Sequence, residues 1–298
     1  MMTEDVDNKM IMDTYLVVYL DFLGISDLMK NDDGTLLNQI FGLYSLISKT
    51  LSDRKIKGIS DVKMKMFSDN LVLATRYDEN IDFNTFYVEK LHGLLLLTSL
   101  LQLRSLEEFG LLIRGGITIG KFYIDENFVW GPALVDGYLL ESKVAQYPRV
   151  IINSSLIDVI SQKVQELAER EDNKYVEDMQ AFIRRDVDNI HFIDYHHATL
   201  SIKKILEKRT NLEKQGSVSE MVSIAAAASF VPKRLKFGKE KLLTLIANCP
   251  DIRAYQKIAW AVNYHNSFCK RINAQSHYLI PDSLCPQFPL HKSQEEKS

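Results

Sequence analysis

The stretch KMFSDNLVLAT, Lys65 to Thr75, has the pattern of a β-hairpin with three polar residues at its bend. Upstream, apolar residues alternate with lysines from Val62 to Met66, which is typical of a strand with one solvent-exposed face. Downstream, a short apolar run begins at Leu71, as expected for a strand buried on both faces. The bend consists of Ser, Asp and Asn, all common turn residues. Asp69 is therefore either a turn residue or a charge placed at a strand end for chemistry.

The bulk composition favours an ordered protein with a sizeable core. The chain has 298 residues, of which 46% are hydrophobic, enough for one large domain or one domain with an appendage. The formal net charge is -3, which argues against an extended basic surface for nucleic acid. We therefore expect no nucleic-acid partner.

Cysteine spacing and apolar runs indicate a cytoplasmic protein. The three cysteines lack CxxC spacing and predict reduced thiols, with no disulfide framework and no zinc site; they are Cys249, Cys269 and Cys285. Residues 1–12 are acidic and polar, unlike a signal peptide. The longest apolar run, Leu91–Leu103, contains polar residues, is too short to cross a bilayer and predicts a buried helix. We expect no membrane partner.

Periodicity predicts an α+β sandwich, a mostly antiparallel sheet with helices packed on it. Strands are predicted at 14–21, on both sides of the hairpin bend, and at 111–122, 148–153 and 189–195. Helices are predicted at 36–51, 83–109, 131–144, 197–212, 236–248 and 251–273. The change to a helical, more charged pattern after Tyr195 predicts a first unit at 1–195 and a helical extension at 196–298.

Two acidic residues follow apolar strands. Asp21 ends the strand TYLVVYL, and Asp69 lies in the hairpin bend. Either one alone is ordinarily a solvated cap. If the first strand runs beside the hairpin, both carboxylates point to one spot next to the backbone amides of Leu23 and Gly24. A carboxylate pair beside such amides is able to hold Mg²⁺ or Mn²⁺ together with a triphosphate.

The segment LLIRGGITIG, residues 111–120, supplies a candidate phosphate ligand. Arg114 comes directly before two glycines. A guanidinium can bind phosphate oxygens through two N–H groups at once. The glycines permit the close approach of backbone or ligand.

Four segments together resemble the catalytic domain of class III nucleotidyl cyclases. They are YLDFLGIS (19–26), KMFSDNLVLA (65–74), IRGGITIG (113–120) and WGPALVDGYLLESKVAQYPRVIIN (130–153). Their order and spacing match the family over residues 14–155. The resemblance implies a ferredoxin-like sandwich with its sheet and helices in the first unit.

The sequence also departs from the general family pattern. The bend reads Ser-Asp instead of Gly-Asp, while Val135 stands at the family's Asn position and Leu139 at its Arg position. In the family those two side chains bind ribose and stabilise the transition state. Gly131 and the pair Glu141-Ser142 remain in register.

The departures resemble one branch, the pyrimidine cyclases of bacterial Pycsar anti-phage systems. That branch shares the Phe-Ser-Asp hairpin, the Arg-Gly-Gly-Ile strand and the Tyr-Pro-Arg that follows the Gly-Pro helix. The segment YQKIAWAVNYHN, residues 255–266, is similar to a helix near the C-termini of that branch.

The resemblance implies a metal-dependent cyclase that acts as a homodimer with shared active sites. Asp21, Asp69 and the carbonyl of Phe22 would hold two Mn²⁺ or Mg²⁺ ions, with Arg114 on the triphosphate near Leu23 and Gly24. The reaction would convert a pyrimidine nucleoside triphosphate into its 3′,5′-cyclic monophosphate. A separate effector would read this second messenger in antiviral defence.

Three further residues have candidate roles with simpler alternatives. Lys65 and Phe128 stand at base-selecting positions, but each also fits a solvated lysine or a core phenylalanine. Arg149 would replace the missing transition-state arginine, or it is a surface residue after Pro148. Lys65 donates hydrogen bonds and cannot accept them, which favours UTP with CTP next.

Two other functions stay open from the sequence. A purine cyclase that makes cyclic AMP or GMP would use the same metal chemistry. A catalytically degenerate cyclase that only binds nucleotide is motivated by the loss of the Asn and Arg positions, although both metal acids are present.

Overall fold

The computed structural model describes residues 11–25, 29–30, 32–52, 61–168, 175–212 and 218–284. The strands are β1 Asp13–Phe22, β2 Lys63–Phe67, β3 Asn70–Arg76, β4 Ile113–Ile124, β5 Val129–Trp130, β6 Val150–Ile152, β7 Ile183–Arg185 and β8 His191–Ile193. The principal helices are α1 Thr35–Ser52, α2 His92–Arg104, α3 Pro132–Leu139, α4 Ser154–Ala168, α5 Val176–Phe182, α6 His197–Leu212, α7 Val218–Ala247 and α8 Ile252–Arg271.

Two helices continue through π-helical turns. Helix α2 is preceded by the short helix Phe83–Thr85 and the turn Phe86–Leu91, and it is followed by the turn Ser105–Phe109. Helix α3 continues through the turn Leu140–Val144. These runs agree with the helices predicted at 83–109 and 131–144.

The strands form one sheet in the order β2-β3-β1-β4-β6-β8-β7, with β5 paired to β4. All pairs are antiparallel except β4 with β6. The predicted α+β class with a mostly antiparallel sheet is therefore confirmed. The β2–β3 hairpin and the position of β1 beside it also agree with the prediction.

Alternation along β1 divides its side chains between the two faces of the sheet. Leu16, Val18 and Leu20 belong to the large core, whereas Val17 and Tyr19 belong to a smaller cluster on the opposite face. This smaller face is covered by α3, which contacts both β4 and β1. The candidate site lies at the end of this face.

Some elements of the described chain were not predicted. Among them are α4, α5 and β7, which occupy residues between the predicted strands at 148–153 and 189–195. Helix α7 begins at Val218, well before the predicted start at 236. An alanine-rich stretch lies in this extra part of the helix, and its amphipathic period is weak, so periodicity gave no signal there.

The C-terminal helices pack against the sheet. Ile258, Trp260 and Tyr264 of α8 are buried in the same core cluster as Phe192 of β8. The boundary predicted between units 1–195 and 196–298 stays a prediction. In the described ranges, no helix is long and apolar enough to span a bilayer.

Two of the three cysteines lie in the described residues, and the reduced state of the thiols stays a prediction. Cys249 and Cys269 are free. Cys285 lies outside the described residues.

The β2–β3 turn is tight and places a non-glycine residue in the left-handed region. Phe67 pairs with Asn70, which leaves a two-residue connection, and Ser68 has φ 53°. Two-residue turns with positive φ at the first central position favour glycine there. Glycine would therefore suit this position better than the serine that occupies it.

Ser68→Gly should therefore raise the free energy of unfolding by about 0.5–1 kcal/mol. Relief of the left-handed conformation exceeds the extra backbone entropy that glycine gives the unfolded chain. Urea unfolding would measure the change. Ser161→Gly in α4 is the matched control and should lower stability by about 0.5 kcal/mol, because glycine is a poor helix former. A loss of stability in Ser68→Gly would contradict the strain argument.

Candidate active site

Asp21 and Arg114 are cross-strand neighbours. The β1–β4 register places their Cα atoms opposite each other, and both side chains project from the face that carries Tyr19. Arg114 Nε lies 3.0 Å from Asp21 Oδ2. The two residues predicted to bind metal and triphosphate therefore meet, joined by an ion pair.

Asp69 lies beside the same strand end. Its carbonyl accepts a hydrogen bond from Phe22 N at 3.2 Å, and its Oδ1 accepts one from Asn70 Nδ2 at 3.0 Å. Asn70 is itself paired with Asp21 across β1 and β3. The predicted convergence of the first strand and the hairpin bend is therefore present.

A third acid, Glu141, joins this group from the π-helical turn Leu140–Val144 that continues helix α3. Its Oε1 lies 2.5 Å from Arg114 Nη2. Burial raises the pKa of Glu141 to about 7, against the opposing effect of Arg114 and with a further increase from Asp21. The sequence had shown only that Glu141 was in register with a family motif.

The glycines after Arg114 explain how α3 brings Glu141 so close. A Cβ on Gly116 would lie 2.5 Å from the Cβ of Leu140 and 2.9 Å from the carbonyl oxygen of Gly137. Any larger side chain would push the helix away from β4. These glycines were predicted to let either backbone or a ligand come close. At Gly116 the backbone of α3 comes close.

The pKa of Tyr19 is raised by burial and by the negative charges of the cluster. Burial is the largest cause that raises its pKa to about 12, and the charges of Glu141, Asp21 and Asp69 follow. Because Coulomb interactions weaken with distance, all three carboxylates are near enough to act on the Tyr19 hydroxyl. The result is a concentrated negative site with one guanidinium inside it.

The guanidinium of Arg114 has N–H groups left over that could bind a ligand. Its ion pairs with Asp21 and Glu141 use Nε and Nη2. Within the described residues, Nη1 has no hydrogen-bond or ion-pair partner. A phosphate oxygen could bind there without displacing either carboxylate.

The backbone amides of Leu23 and Gly24 were predicted to lie beside the bound phosphates, and only part of this prediction fits the structure. Leu23 N donates to Leu112 O at 2.8 Å, so this amide is not available to a phosphate. Gly24 has φ 82° and is exposed, with open space around its α-carbon. The side chain of Phe22 is buried in the core, so its carbonyl is the group that could face a ligand.

The donor set suits Mg²⁺ or Mn²⁺. Asp21, Asp69 and the Phe22 carbonyl offer the hard oxygen ligands that these ions prefer, at a point where negative charge is concentrated. The described ranges contain no group of three or more His, Cys, Asp or Glu side chains arranged around a metal position. The predicted site needs only two carboxylates and a carbonyl, so the residues fit the ions chemically.

The two predicted base-selecting residues meet at the β4–β5 connection, which contains Phe128 and which Lys65 contacts from β2. Lys65 Nζ donates to the carbonyls of Asp125, at 3.3 Å, and Glu126. Phe128 N donates to Asp125 Oδ1 at 2.9 Å, and its ring is 40% exposed. No hydrogen bond or ion pair links this pair to Asp21 or Asp69 in the described chain.

Arg149 does not join the acidic cluster. Its side chain is 1% exposed and forms ion pairs with Asp186 and Asp188. Its backbone borders the site, because Gly115 N donates to its carbonyl at 3.2 Å. The geometry thus favours a structural arginine over the predicted transition-state role, and neither surface exposure nor access to a ligand is present.

Comparison with known proteins adds no assignment. No protein-family model matches the sequence, and no curated protein matches it significantly. The resemblance to class III cyclases stays a prediction carried by the motifs and by the site that they form.

Proposed function

We propose that this protein is a nucleotidyl cyclase that converts a pyrimidine nucleoside triphosphate, UTP before CTP, into its 3′,5′-cyclic monophosphate and diphosphate. The observation that carries the proposal is the meeting of Asp21, Asp69 and Arg114 at one end of the sheet, from three separate segments of the chain. The cluster offers oxygen donors for divalent ions and a guanidinium for phosphate. No protein nucleophile is needed for this reaction.

Each chain residue has a distinct task in this mechanism. Asp21, Asp69 and the carbonyl of Phe22 would hold two Mn²⁺ or Mg²⁺ ions. When bound, such ions supply the charge that acidifies the 3′-hydroxyl and offsets the negative charge on the phosphates. Arg114 orients the triphosphate through Nη1, and Glu141 fixes the guanidinium from its other side.

The 3′-oxygen forms a bond to the α-phosphorus while the bond from that phosphorus to the bridging oxygen of the diphosphate breaks. The proton of the 3′-hydroxyl leaves to solvent, and diphosphate departs with the bonding electron pair. Holding the ribose and triphosphate in line is the main contribution of the protein.

A homodimer would complete the site. Three apolar side chains of α3 are solvent-exposed: Val135 at 55%, Tyr138 at 48% and Leu139 at 42%. Exposed apolar groups of this kind mark interaction surfaces. In the shared-site arrangement that the resemblance implies, base-selecting residues of one copy would face the carboxylates of the other. A fully active monomer in light scattering would contradict this arrangement.

Product analysis tests the proposed function. Purified protein would be incubated with each of the four triphosphates and Mn²⁺, and products would be identified by mass spectrometry. Cyclic UMP or cyclic CMP supports the proposal. Cyclic AMP or GMP as the main product supports the purine-cyclase alternative, and binding without turnover supports the degenerate module.

Base selection gives a sharper prediction. Phe128→Ala should raise turnover of purine triphosphates relative to UTP by about ten- to a hundredfold, because it opens space for a second ring. Relative kcat/KM values for UTP and ATP would measure this change. Phe237→Ala, another partly exposed phenylalanine, is the matched control and should leave selectivity unchanged. Unaltered selectivity in Phe128→Ala would remove this residue from the base pocket.

In the cell, a cyclic pyrimidine nucleotide would act as a second messenger read by a separate effector. This role in bacterial antiviral defence follows from the resemblance to the Pycsar branch. It is part of the proposal and depends on the product first being identified.

A further inference from the structure

A cavity of about 220 Å³ lies between helices α1, α2, α6 and α7. Each helix contributes to its wall, through Leu43, Leu97, Ile202 and Phe230 in that order. Leu43 and Leu97 belong to the large core, so this cavity and the acidic cluster beside Tyr19 lie on opposite faces of the sheet. Protein interiors are close-packed and contain few voids larger than a water molecule. A void of this size therefore has room for a small ligand.

The described part of the cavity wall is apolar except for two arginines. All its other side chains are leucine, isoleucine or phenylalanine. Apolar cavities stay dry, and one of about 150 Å³ binds benzene, which has six carbons. By the same ratio, this cavity has room for about nine carbons. The wall therefore suits an aliphatic chain of that length and disfavours a polar occupant.

The two arginines in the wall are Arg104 of α2 and Arg234 of α7. Arg104 forms an ion pair with Glu108, and Arg234 forms one with Glu107. The Cζ atom of Arg234 lies 5.3 Å from the centroid of the Phe230 ring, which is itself part of the wall. The guanidinium of Arg234 is therefore held beside the apolar space.

Arg234 has a buried hydrogen-bond donor left over. Its Nη1 contacts Glu107, whereas its Nε is buried and has no acceptor among the described residues. A buried donor without an acceptor is unfavourable. An oxygen atom of a ligand in the cavity would relieve this cost.

The charge balance around Arg234 favours an anionic ligand. Burial raises the pKa of Glu107 to about 7, against the opposing positive charges of Arg234 and Arg104. At neutral pH Glu107 therefore carries only part of a negative charge, while both arginines stay protonated. A net positive charge thus lies beside the apolar space.

We propose that this cavity binds a medium-chain fatty acid, with its alkyl chain between the four helices and its carboxylate on Arg234 and Arg104. A guanidinium matches the geometry of a carboxylate, and the leucines match the alkyl chain. This site is separate from Asp21 and Asp69. The inference goes beyond the proposed cyclase activity and does not depend on it.

The experiment titrates decanoate, below its micelle concentration, into the full chain and follows binding by calorimetry. Its neutral analogue 1-decanol should bind about ten- to a hundredfold more weakly, as expected for the loss of a charged hydrogen bond. Octanoate should bind about tenfold more weakly, because two fewer methylenes are buried. Hexadecanoate should gain nothing over decanoate, because its extra carbons exceed the space. A steady gain up to hexadecanoate, or binding to anionic vesicles in place of decanoate, would show a lipid-surface contact and overturn the cavity site.

Filling the cavity tests where decanoate binds. Leu100→Phe adds volume to the wall from α2 and should weaken decanoate binding at least about tenfold. Ile202→Phe does the same from α6, so the test does not depend on one variant folding. Leu245→Phe, at a half-buried leucine of α7 outside the described wall, is the matched control and should keep wild-type affinity. Thermal unfolding checks the fold of each variant, and wild-type affinity in the folded Leu100 and Ile202 variants would overturn the inference.

The carboxylate contact has its own test. Glu107→Gln combined with Arg234→Gln removes both buried charges, so neither is left unpaired. The double variant should bind decanoate about ten- to a hundredfold more weakly and 1-decanol as the wild type does. Arg253→Gln, at an exposed arginine of α8, is the matched control and should change neither affinity. Unchanged decanoate affinity in the folded double variant would overturn the role of Arg234, and a wild type that binds no decanoate would reject the inference and leave the cyclase proposal standing.

Discussion

Replacing Asp69 with asparagine should abolish cyclisation and leave the fold intact. Asparagine is as suitable as aspartate in a tight turn, and within the described residues the carboxylate of Asp69 accepts a side-chain hydrogen bond only from its neighbour Asn70. A neutral amide binds divalent ions poorly. Metal stabilisation is worth several kcal/mol, so we expect kcat/KM to fall at least about a hundredfold. Turnover of UTP across a Mn²⁺ titration would measure the loss.

The control for Asp69→Asn makes the same change at the other end of β3. Asp78→Asn alters an exposed turn acid that accepts a hydrogen bond from Asn80 N, and it should leave turnover unchanged. Asp21→Asn should reproduce the loss, although it also weakens the ion pair with Arg114. Near-wild-type turnover in folded Asp69→Asn would show that the metal assignment is wrong.

The part of the site that the sequence predicted depends on strand register. Asp21 and Asp69 end apolar strands, and Arg114 begins another, so sheet pairing alone brings them together. Period-2 alternation and turn residues carry that information locally. Other local patterns, a continuous apolar run and helical apolar spacing, predicted β1 and the helices that begin at Thr35 and His197.

The rest of the site depends on how helices dock, which local patterns do not encode. Glu141 reaches Arg114 only because two glycines, Gly116 and Gly137, let α3 lie against the sheet.

Local sequence patterns also failed to predict that Arg149 is buried. An arginine after proline at a strand start suggested either a surface residue or a catalytic group. Its partners, Asp186 and Asp188, lie in a loop between two short strands, one of which was not predicted. Without that loop, nothing in the sequence indicated burial.

Arg149→Met should therefore lower the free energy of unfolding by about 3–5 kcal/mol. The substitution removes the guanidinium that offsets the charge of Asp186, whose side chain is 2% exposed. Breaking a buried ion pair on one side has a cost of this size, a large share of the roughly 5–15 kcal/mol that stabilises a typical domain. Urea unfolding followed by circular dichroism would measure the change.

A surface ion pair provides the control. Arg76→Met breaks the contact with Asp13, where the side chains are 70% and 39% exposed, and it should change stability by less than about 1 kcal/mol. Adding Asp186→Asn to Arg149→Met should recover part of the loss, because the buried charge is then also removed. If Arg149 acts in catalysis as the sequence first suggested, Arg149→Met would keep its stability and lose turnover. Measuring the free energy of unfolding and the turnover on the same preparation decides between the two roles. Replacing a structural arginine lowers stability, whereas replacing a catalytic arginine lowers turnover in a protein of unchanged stability.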